Sequence, residues 1–466
     1  MSLRIRVLRG GTYLALRQGL GMVIGLGGVL LLTRAIGPGN YGLYAAVLGI
    51  YTYCYKLTQW GIGVYLIRHE GEESDRDYNQ AFNLLLVLGI LVSFVAFFSL
   101  PLLEQLAQYK ELSPVIRSMF LGLPFHLIAL VPLARLERAL NYRQVAITEF
   151  IGQIVYYLAA LTLAFSGLGV WAPVGGWWSQ QIVVLALLYG ATRYRPHFYW
   201  DWTLIRQMVG YGLGYSSSMW VWNLRQLVNP LIVLPFLGKE AAGYIDLTVQ
   251  FAERLSFVKT ATWRLSIATL SRLQGNRTRL SQAIAEGMRL QILAVGPILV
   301  TFGLTSSWLL PLLADKNWLP ILQVYPFVAL SYLTNALFNL HSATLYVLKR
   351  NWEVGTFHII HIVLFAGGAY FFVPRWGLIG YGGAEILAIL SYIAIHAYIA
   401  RYADAPDYRL AGVWWAGTSL PLFWQQLGTW TFLSLPVALL WPGSLREMRG
   451  FLAGFQNKVK ARVNEG

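Results

Sequence analysis

Charge is what this sequence has least of. Only 12% of its 466 residues are Asp, Glu, Lys or Arg, about half the quarter usual in soluble proteins. With 56% hydrophobic residues and a mean hydropathy of +0.52, the chain is an integral membrane protein rather than a set of soluble domains. Cysteine is nearly absent too. Cys54 stands alone, so no intramolecular disulfide can form, and its place in an apolar run makes it a small packing residue. Alternating strands are missing: the apolar runs are continuous over about 20 residues, which implies helices rather than a barrel. Long connections are missing as well, none exceeding about 20 residues, so there is no room for a soluble catalytic domain. No phosphate loop of the G-x-x-x-x-G-K-[ST] type occurs. His358 and His361, at i, i+3 in an apolar helix, lack a Cys or carboxylate at ligand spacing, which favours polar packing over a metal site. The expectation is therefore not an enzyme, with no cofactor and no metal.

Cations outnumber acids, giving a net charge of +15. Lys- and Arg-rich cytoplasmic loops account for such an excess in a membrane protein without a nucleic-acid partner. Apolar runs fall at 13–36, 43–66, 80–103, 115–134, 146–166, 172–190, 208–236, 242–268, 290–313, 320–347, 353–373 and 377–400. Threaded alternately from a cytoplasmic N-terminus, they put the cationic connections 135–143, 193–206, 272–289, 349–350 and 401–409 on one side. PGNYG at 38–42, SGLG at 166–169, LGKEA at 237–241 and ADKNW at 314–318 fall on the other, which is the positive-inside pattern. The acidic connection RHEGEESDRD at 68–77 dissents, although acids weigh little in that rule. The basic N-terminus (Arg4, Arg6, Arg9) precedes a run without a small-residue cleavage site and is expected to be a retained first helix. Residues 411–441 form a further apolar region, readable as one span, two short ones or a re-entrant segment. The count is thus twelve to fourteen transmembrane helices. Leu445, Met448, Leu452, Phe455 and Val459 then recur at helical spacing among cations, as in an amphipathic helix lying on membrane lipid.

Self-comparison divides the chain. IGPGNYGLY at 36–44 meets LGKEAAGYI at 237–245, offset by 201; LPF at 123–125 meets YPF at 325–327, by 202. GVWAPVGG at 169–176 meets GLIGYGGA at 377–384, by 208, and LNYRQVAITEF at 140–150 meets RNWEVGTFHII at 350–360, by 210. The expected architecture is all-α: two six-helix lobes, 1–202 and 203–405, related by internal duplication, and an extra apolar segment with a basic tail at 406–466. Six helices per copy make the halves enter from the same side, related by an axis along the membrane normal.

The stretch 215–272 does not suit lipid. Arg225, Asp246, Glu253, Arg254, Lys259 and Arg264 lie inside two helices there, and at about 2.5–3.5 kcal/mol each their exposure to hydrocarbon would cost on the order of 15–20 kcal/mol. They face water or one another, lining a polar cavity. At about 100° per residue, Asp246, Gln250, Glu253, Thr260 and Arg264 share one stripe, flanked by Arg254. Ser218, Trp222, Arg225 and Asn229 share another, with Asn223 beside it, before Pro230 and Pro235 interrupt the helix. In the first half Thr52, Lys56, Gln59 and Gly63 form the matching wall, and Arg17, Gly21, Gly25 and Gly28 a further stripe. Arg17, Lys56, Arg225, Arg254, Lys259 and Arg264 against Asp246 and Glu253 leave this cavity at +4, and forked Arg donors suit a phosphate-bearing guest. Two further readings stay open. Arg17, Lys259 and Arg264 could snorkel to the cytoplasmic surface, and Arg254 could pair with Glu253 or Asp246.

LLTRAIGPGNYGLYAAV, RALNYRQVAITEFIGQ with LAFSGLGVWAPV, FLGKEAAGYIDLTVQFAERLSF with LSRLQGNRTRL, and KNWLPILQVYPFVAL resemble the polysaccharide-transporter (Wzx-like) family of the multidrug/oligosaccharidyl-lipid/polysaccharide flippase superfamily. The resemblance covers nearly the whole chain and departs from the family at the C-terminus, where a clean final helix pair is not readable. It implies movement of an undecaprenyl-diphosphate-linked oligosaccharide across a bacterial inner membrane, a cationic lumen, and polysaccharide polymerase or export proteins as partners. Two alternatives are weighed beside it. A cation or drug antiporter of the same superfamily calls for an acid-dominated cavity, and a membrane glycosyltransferase or polymerase for acidic residues in sizeable external loops.

Overall fold

The computed structural model describes residues 3–68, 74–107 and 109–450. The acidic segment 69–73 and the tail from 451, and with it most of the expected amphipathic helix, lie outside the described residues. Within them every regular element is helical. Each of the twelve apolar runs is occupied by helix. Seven helical stretches are both long and apolar enough to span a membrane by themselves. Two of these, Arg17–Thr58 with 42 residues and Asn351–Tyr402 with 52, would measure roughly 63 and 78 Å at 1.5 Å per residue. That is at least twice the ~30 Å hydrocarbon core, so each must turn within its length. The turns fall at glycine: Gly37 (φ 76, ψ 168) and Gly377 (φ 59, ψ −133) leave helical geometry inside these stretches. Positive φ is open to glycine because it carries no Cβ. The remaining runs, in Trp171–Thr192, Trp202–Asn223 with its continuation, and Leu234–Ser271, carry more Trp, Gln or charge.

The backbone repeats where the letters repeat. Gly238 (φ 88, ψ 177) reproduces the Gly37 turn at the expected offset of 201, and Gly169 (φ 52) that of Gly377 (φ 59) at 208. Leu140 (φ 57) pairs with Lys349 (φ 59). The residue after each, Asn141 (φ −84, ψ 55) and Arg350 (φ −96, ψ 53), opens the next helix. Both corners close with the same hydrogen bonds: the amide of Asn141 donates to the Leu136 carbonyl (2.9 Å) and that of Arg350 to the Leu345 carbonyl (2.8 Å). The offset here is 209, one less than the letters suggest. Aligning by letter matched Asn141 with Asn351, whereas the backbone matches Asn141 with Arg350.

By compactness the chain falls into two units. One holds Met1–Leu247, Leu309–Ile321 and Ile362–Ala384; the other holds Thr248–Trp308, Leu322–His361 and Glu385–Gly466. In the first unit, helix Tyr142–Phe165 packs on Arg17–Thr58 through Gln153, which donates to the Gly21 carbonyl (2.7 Å), and Tyr157, which donates to that of Gly25 (3.0 Å). The glycine stripe of the first helix is thus a groove for these two side chains. A Cβ at Gly28 would overlap the Tyr157 ring. In the second unit, residues 409–440 form a helical hairpin. Arg409–Leu422 turns at Gly428 (φ 97) and returns through Thr429–Leu433 and Ser434–Leu440. Gly417 meets Ala438, and Ser434 donates to the Gly417 carbonyl (2.7 Å). Each arm is shorter than the ~20 residues a full span needs.

Candidate functional site

The interrupted helix is where the charges gather. After Trp202–Asn223 the backbone tightens to a 3-10 turn at Leu224–Leu227 and widens to a π-turn at Asn229–Val233. Pro230, lacking an N–H, forces that change. The turn lifts Arg225 out of the regular ladder and lays its guanidinium over the buried Phe365 ring, 4.4 Å from the centroid. A half-buried cation–π contact of this kind contributes about 1–2 kcal/mol. Asn229 donates to the Ala242 carbonyl (3.1 Å), and Asn223 to that of Met219 (2.6 Å).

The second half of Arg17–Thr58 runs antiparallel beside this segment. The Trp220 indole donates to the Lys56 carbonyl (3.1 Å). Gly49 faces the Gln226 carbonyl and Pro230, and Gly42 faces Lys239 and Gly243. Lys56 is exposed, its ammonium 5.5 Å from the Tyr55 ring. Tyr55 stacks on His126 (3.9 Å), which Tyr51 also reaches (2.9 Å). Gln59 sits at the break where Trp60 (φ 44) and Gly61 (φ 67) interrupt the helix before Ile62–Arg68. In the first unit Lys56 and Gln59 thus stand on one of two segments packed side by side, and Asn223, Arg225 and Asn229 on the other, the pair of segments that the sequence matches. Asp246 lies at the far end, accepting from Tyr41 (3.0 Å).

At that end the duplicated turns meet each other. A Cβ on Gly243 would come 2.5 Å from the Pro38 carbonyl, and one on Gly42 would fall inside the Lys239 carbonyl shell. Since Pro38 matches Lys239 and Gly42 matches Gly243 at offset 201, this is a local pseudo-twofold contact. Tyr41 and Tyr244 both set their rings edge-on to Trp318, at 5.7 and 5.8 Å. Lys239 pairs with Glu111 (3.1 Å).

Arg17 is placed differently. It forms an ion pair with Glu149 (3.1 Å) on Tyr142–Phe165, which offsets its charge. Glu149 stands inside a quoted motif, and only the packing of two helices reveals it as a partner.

The second unit holds the remaining candidates. Arg254 donates to Gln250 one turn earlier (3.0 Å), while Glu253 is exposed. The helix breaks at Ser256–Phe257 and restarts at Val258. Lys259 then donates to Asn335 (3.0 Å) and lies over the Tyr332 ring (4.2 Å). Asn335 donates to the Tyr392 hydroxyl (3.1 Å), and Asn339 bridges the Lys259 carbonyl and Gln291 (3.4 Å each). Sequence reasoning missed Asn335, Asn339 and Gln291. The i, i+4 spacing of two asparagines in an apolar span was the signal for them. His361, which the sequence assigns to packing, is buried with its imidazole against Ser391 (3.0 Å). The side chains of Thr260 and Arg264 lie outside the described residues.

Long apolar helices, several of them broken at mid-length, mark a multi-pass all-helical membrane protein. The chain belongs to the polysaccharide biosynthesis protein family, which it matches over residues 31–323. It is 24% identical over 310 residues to "Succinoglycan biosynthesis transport protein ExoT" of Rhizobium meliloti (strain 1021), covering 65% of this chain and 61% of that one. The chain thus spans somewhat under two thirds of that relative. It is 21% identical over 344 residues to "Lipopolysaccharide biosynthesis protein WzxC" of Escherichia coli (strain K12), covering 71% and 68%. Its fold is similar to a solved structure described as "Lipid II flippase MurJ, inward closed conformation", with TM-score 0.72, 13% identity, and coverage of 95% of this chain and 99% of that one.

Proposed function

We propose that the protein carries a polyprenyl-diphosphate-linked oligosaccharide across the bacterial inner membrane for polysaccharide export. The observation that carries this reading is Arg225, half-buried at a helix break in a chain whose family makes polysaccharide. Its guanidinium offers forked donors to diphosphate oxygens. Lys56, on the facing segment, adds a second cation, and the sequence offers Arg254 and Arg264 as further cations for the guest. Gln59, Asn223, Asn229 and Gln250 offer amides to sugar hydroxyls. Asp246 and Glu253 temper the positive field, and Arg17, tied to Glu149, positions the first helix. The isoprenoid tail stays in lipid. No bond is made or broken; the work is translocation.

In this reading two six-helix lobes, 1–202 and 203–405, alternate access to the site. The repeated turns at Gly37 and Gly238 support the duplication. The N-terminus faces the cytoplasm, and polymerase or export proteins accept the product. Arg225→Ala with Arg254→Ala, expressed and inserted normally, should abolish export in a complementation assay. Unimpaired export by that double variant sinks the proposal.

A further inference from the structure

On the first unit a crevice of about 650 Å³ opens between helices Asp75–Phe98, Leu123–Ile128 and Trp171–Thr192. Phe82, Phe125, Trp178, Ile182 and Tyr189 line it, and Pro196 closes one end. It is apolar apart from Gln181 and the Tyr189 hydroxyl, which is spent on the Ile128 carbonyl (3.3 Å).

The Pro196 end carries charge. Arg193 and Arg195 are exposed and make no ion pair among the described residues, whereas Arg135 nearby is taken by Asp75 (3.5 Å), and Asp201 caps the next helix at Thr203 (2.8 Å). This mouth is fixed in place. Asn79 accepts from Tyr194 (2.8 Å) and from the His197 amide (3.1 Å), Gln80 accepts from the Asp201 amide (2.6 Å), and Asn83 donates to the His197 carbonyl (3.0 Å). Phe198, 84% exposed, and Trp202, 72% exposed, stand beside it as residues of the membrane–water interface do.

Depth and volume identify the guest. From Trp178 to Tyr189 the helix rises roughly 16 Å, close to half of a ~30 Å hydrocarbon core. The crevice is therefore one leaflet deep, with its cationic mouth at headgroup level. A methylene occupies about as much room as a liquid water, ~30 Å³, so the volume admits a chain of about 20 carbons. An undecaprenyl tail has more than twice that number. We infer that the crevice holds one acyl chain of an anionic phospholipid from the leaflet on the side of loop 193–201, with its phosphate on Arg193 and Arg195. This site is separate from the one that binds the transported guest and does not depend on that assignment.

The test is native mass spectrometry of the delipidated full chain titrated with phosphatidylglycerol, phosphatidylethanolamine or undecaprenyl phosphate. Phosphatidylglycerol should be retained about tenfold better than phosphatidylethanolamine, from two cations at the surface. Arg193→Gln with Arg195→Gln should erase that preference. Ala186→Trp, which fills the crevice, should remove the bound lipid, with Ile182→Trp as the second variant if the first does not accumulate. Equal retention of the two phospholipids, displacement of phosphatidylglycerol by undecaprenyl phosphate, or unchanged retention in the filled crevice would each overturn the inference.

Discussion

The glycine contact between the turns at Gly37 and Gly238 sets a measurable limit on the conformations of the chain. In Gly42→Ala the new methyl falls inside the Lys239 carbonyl shell, and in Gly243→Ala it falls 2.5 Å from the Pro38 carbonyl. Both neighbours are backbone and neither can rotate away. Overpacking of this kind costs about 1–3 kcal/mol. At 1.4 kcal/mol per factor of ten, each substitution should shift the balance about 5- to 150-fold away from the joined arrangement. Spin labels at Gly39→Cys and Glu240→Cys in a Cys54→Ser background would report the separation. The parent should show a short-distance population, and each alanine variant should transfer most of it to longer distances. Combining the two alanines should cost less than their sum, because turns parted by the first methyl leave nothing for the second to strike. An unchanged distance distribution in both single variants, with unfolding unchanged within about 0.5 kcal/mol, would refute the contact.

Further outcomes follow from other contacts. Arg225→Lys keeps the charge but loses the planar fork, so transport should fall while insertion and unfolding temperature hold; a flipping assay in proteoliposomes separates these. Phe365→Leu should weaken the guanidinium seat, and a double-mutant cycle of Phe365→Leu with Arg225→Ala should give a coupling of about 1–2 kcal/mol in thermal unfolding. Glu149→Gln removes the counter-charge of Arg17; as both side chains are about a third exposed, the cost should be no more than about 1 kcal/mol, restored by the swap Arg17→Glu with Glu149→Arg. Asn335→Leu strips an acceptor from Lys259 and should cost about 1–3 kcal/mol, recovered in part when Lys259→Met is added.

Much of this organisation was legible in the letters because bilayers constrain few things strongly. Length and apolarity located the helices. Glycine at 37, 238, 169 and 377 marked positions where L-residues are strained, which is why a repeat weak in sequence returns so closely in φ. Pro230 announced the helix break beside Arg225. What could not be read was partnership between distant helices. Glu149 is 132 positions from Arg17, and nothing in the spacing of either links them; Lys259 and Asn335 are 76 apart. The one-residue slip at Leu140 and Lys349 has a related origin. Side-chain letters near a cap drift freely, while the carbonyl that the corner must satisfy stays fixed. Two of the seven stretches hold two runs each, so three of the twelve runs fall outside the stretches that are apolar enough to span alone among the described residues, and those three carry more Trp, Gln or charge.

The bond from Tyr41 to Asp246 joins residues 205 apart in the chain, which bears on how the molecule is made. The segment after Gly238 carries Asp246, Glu253, Arg254, Lys259 and Arg264, too many charges to leave a translocon for lipid unaided. The ribosome delivers Tyr41 and the glycine turn beside it long before that segment emerges. Tyr41 is thus in place to receive Asp246 when this lipid-averse segment arrives, and insertion becomes a matter of order as well as hydropathy. A chain that begins after the first turn would present the same charged segment to the membrane with no surface waiting to receive it.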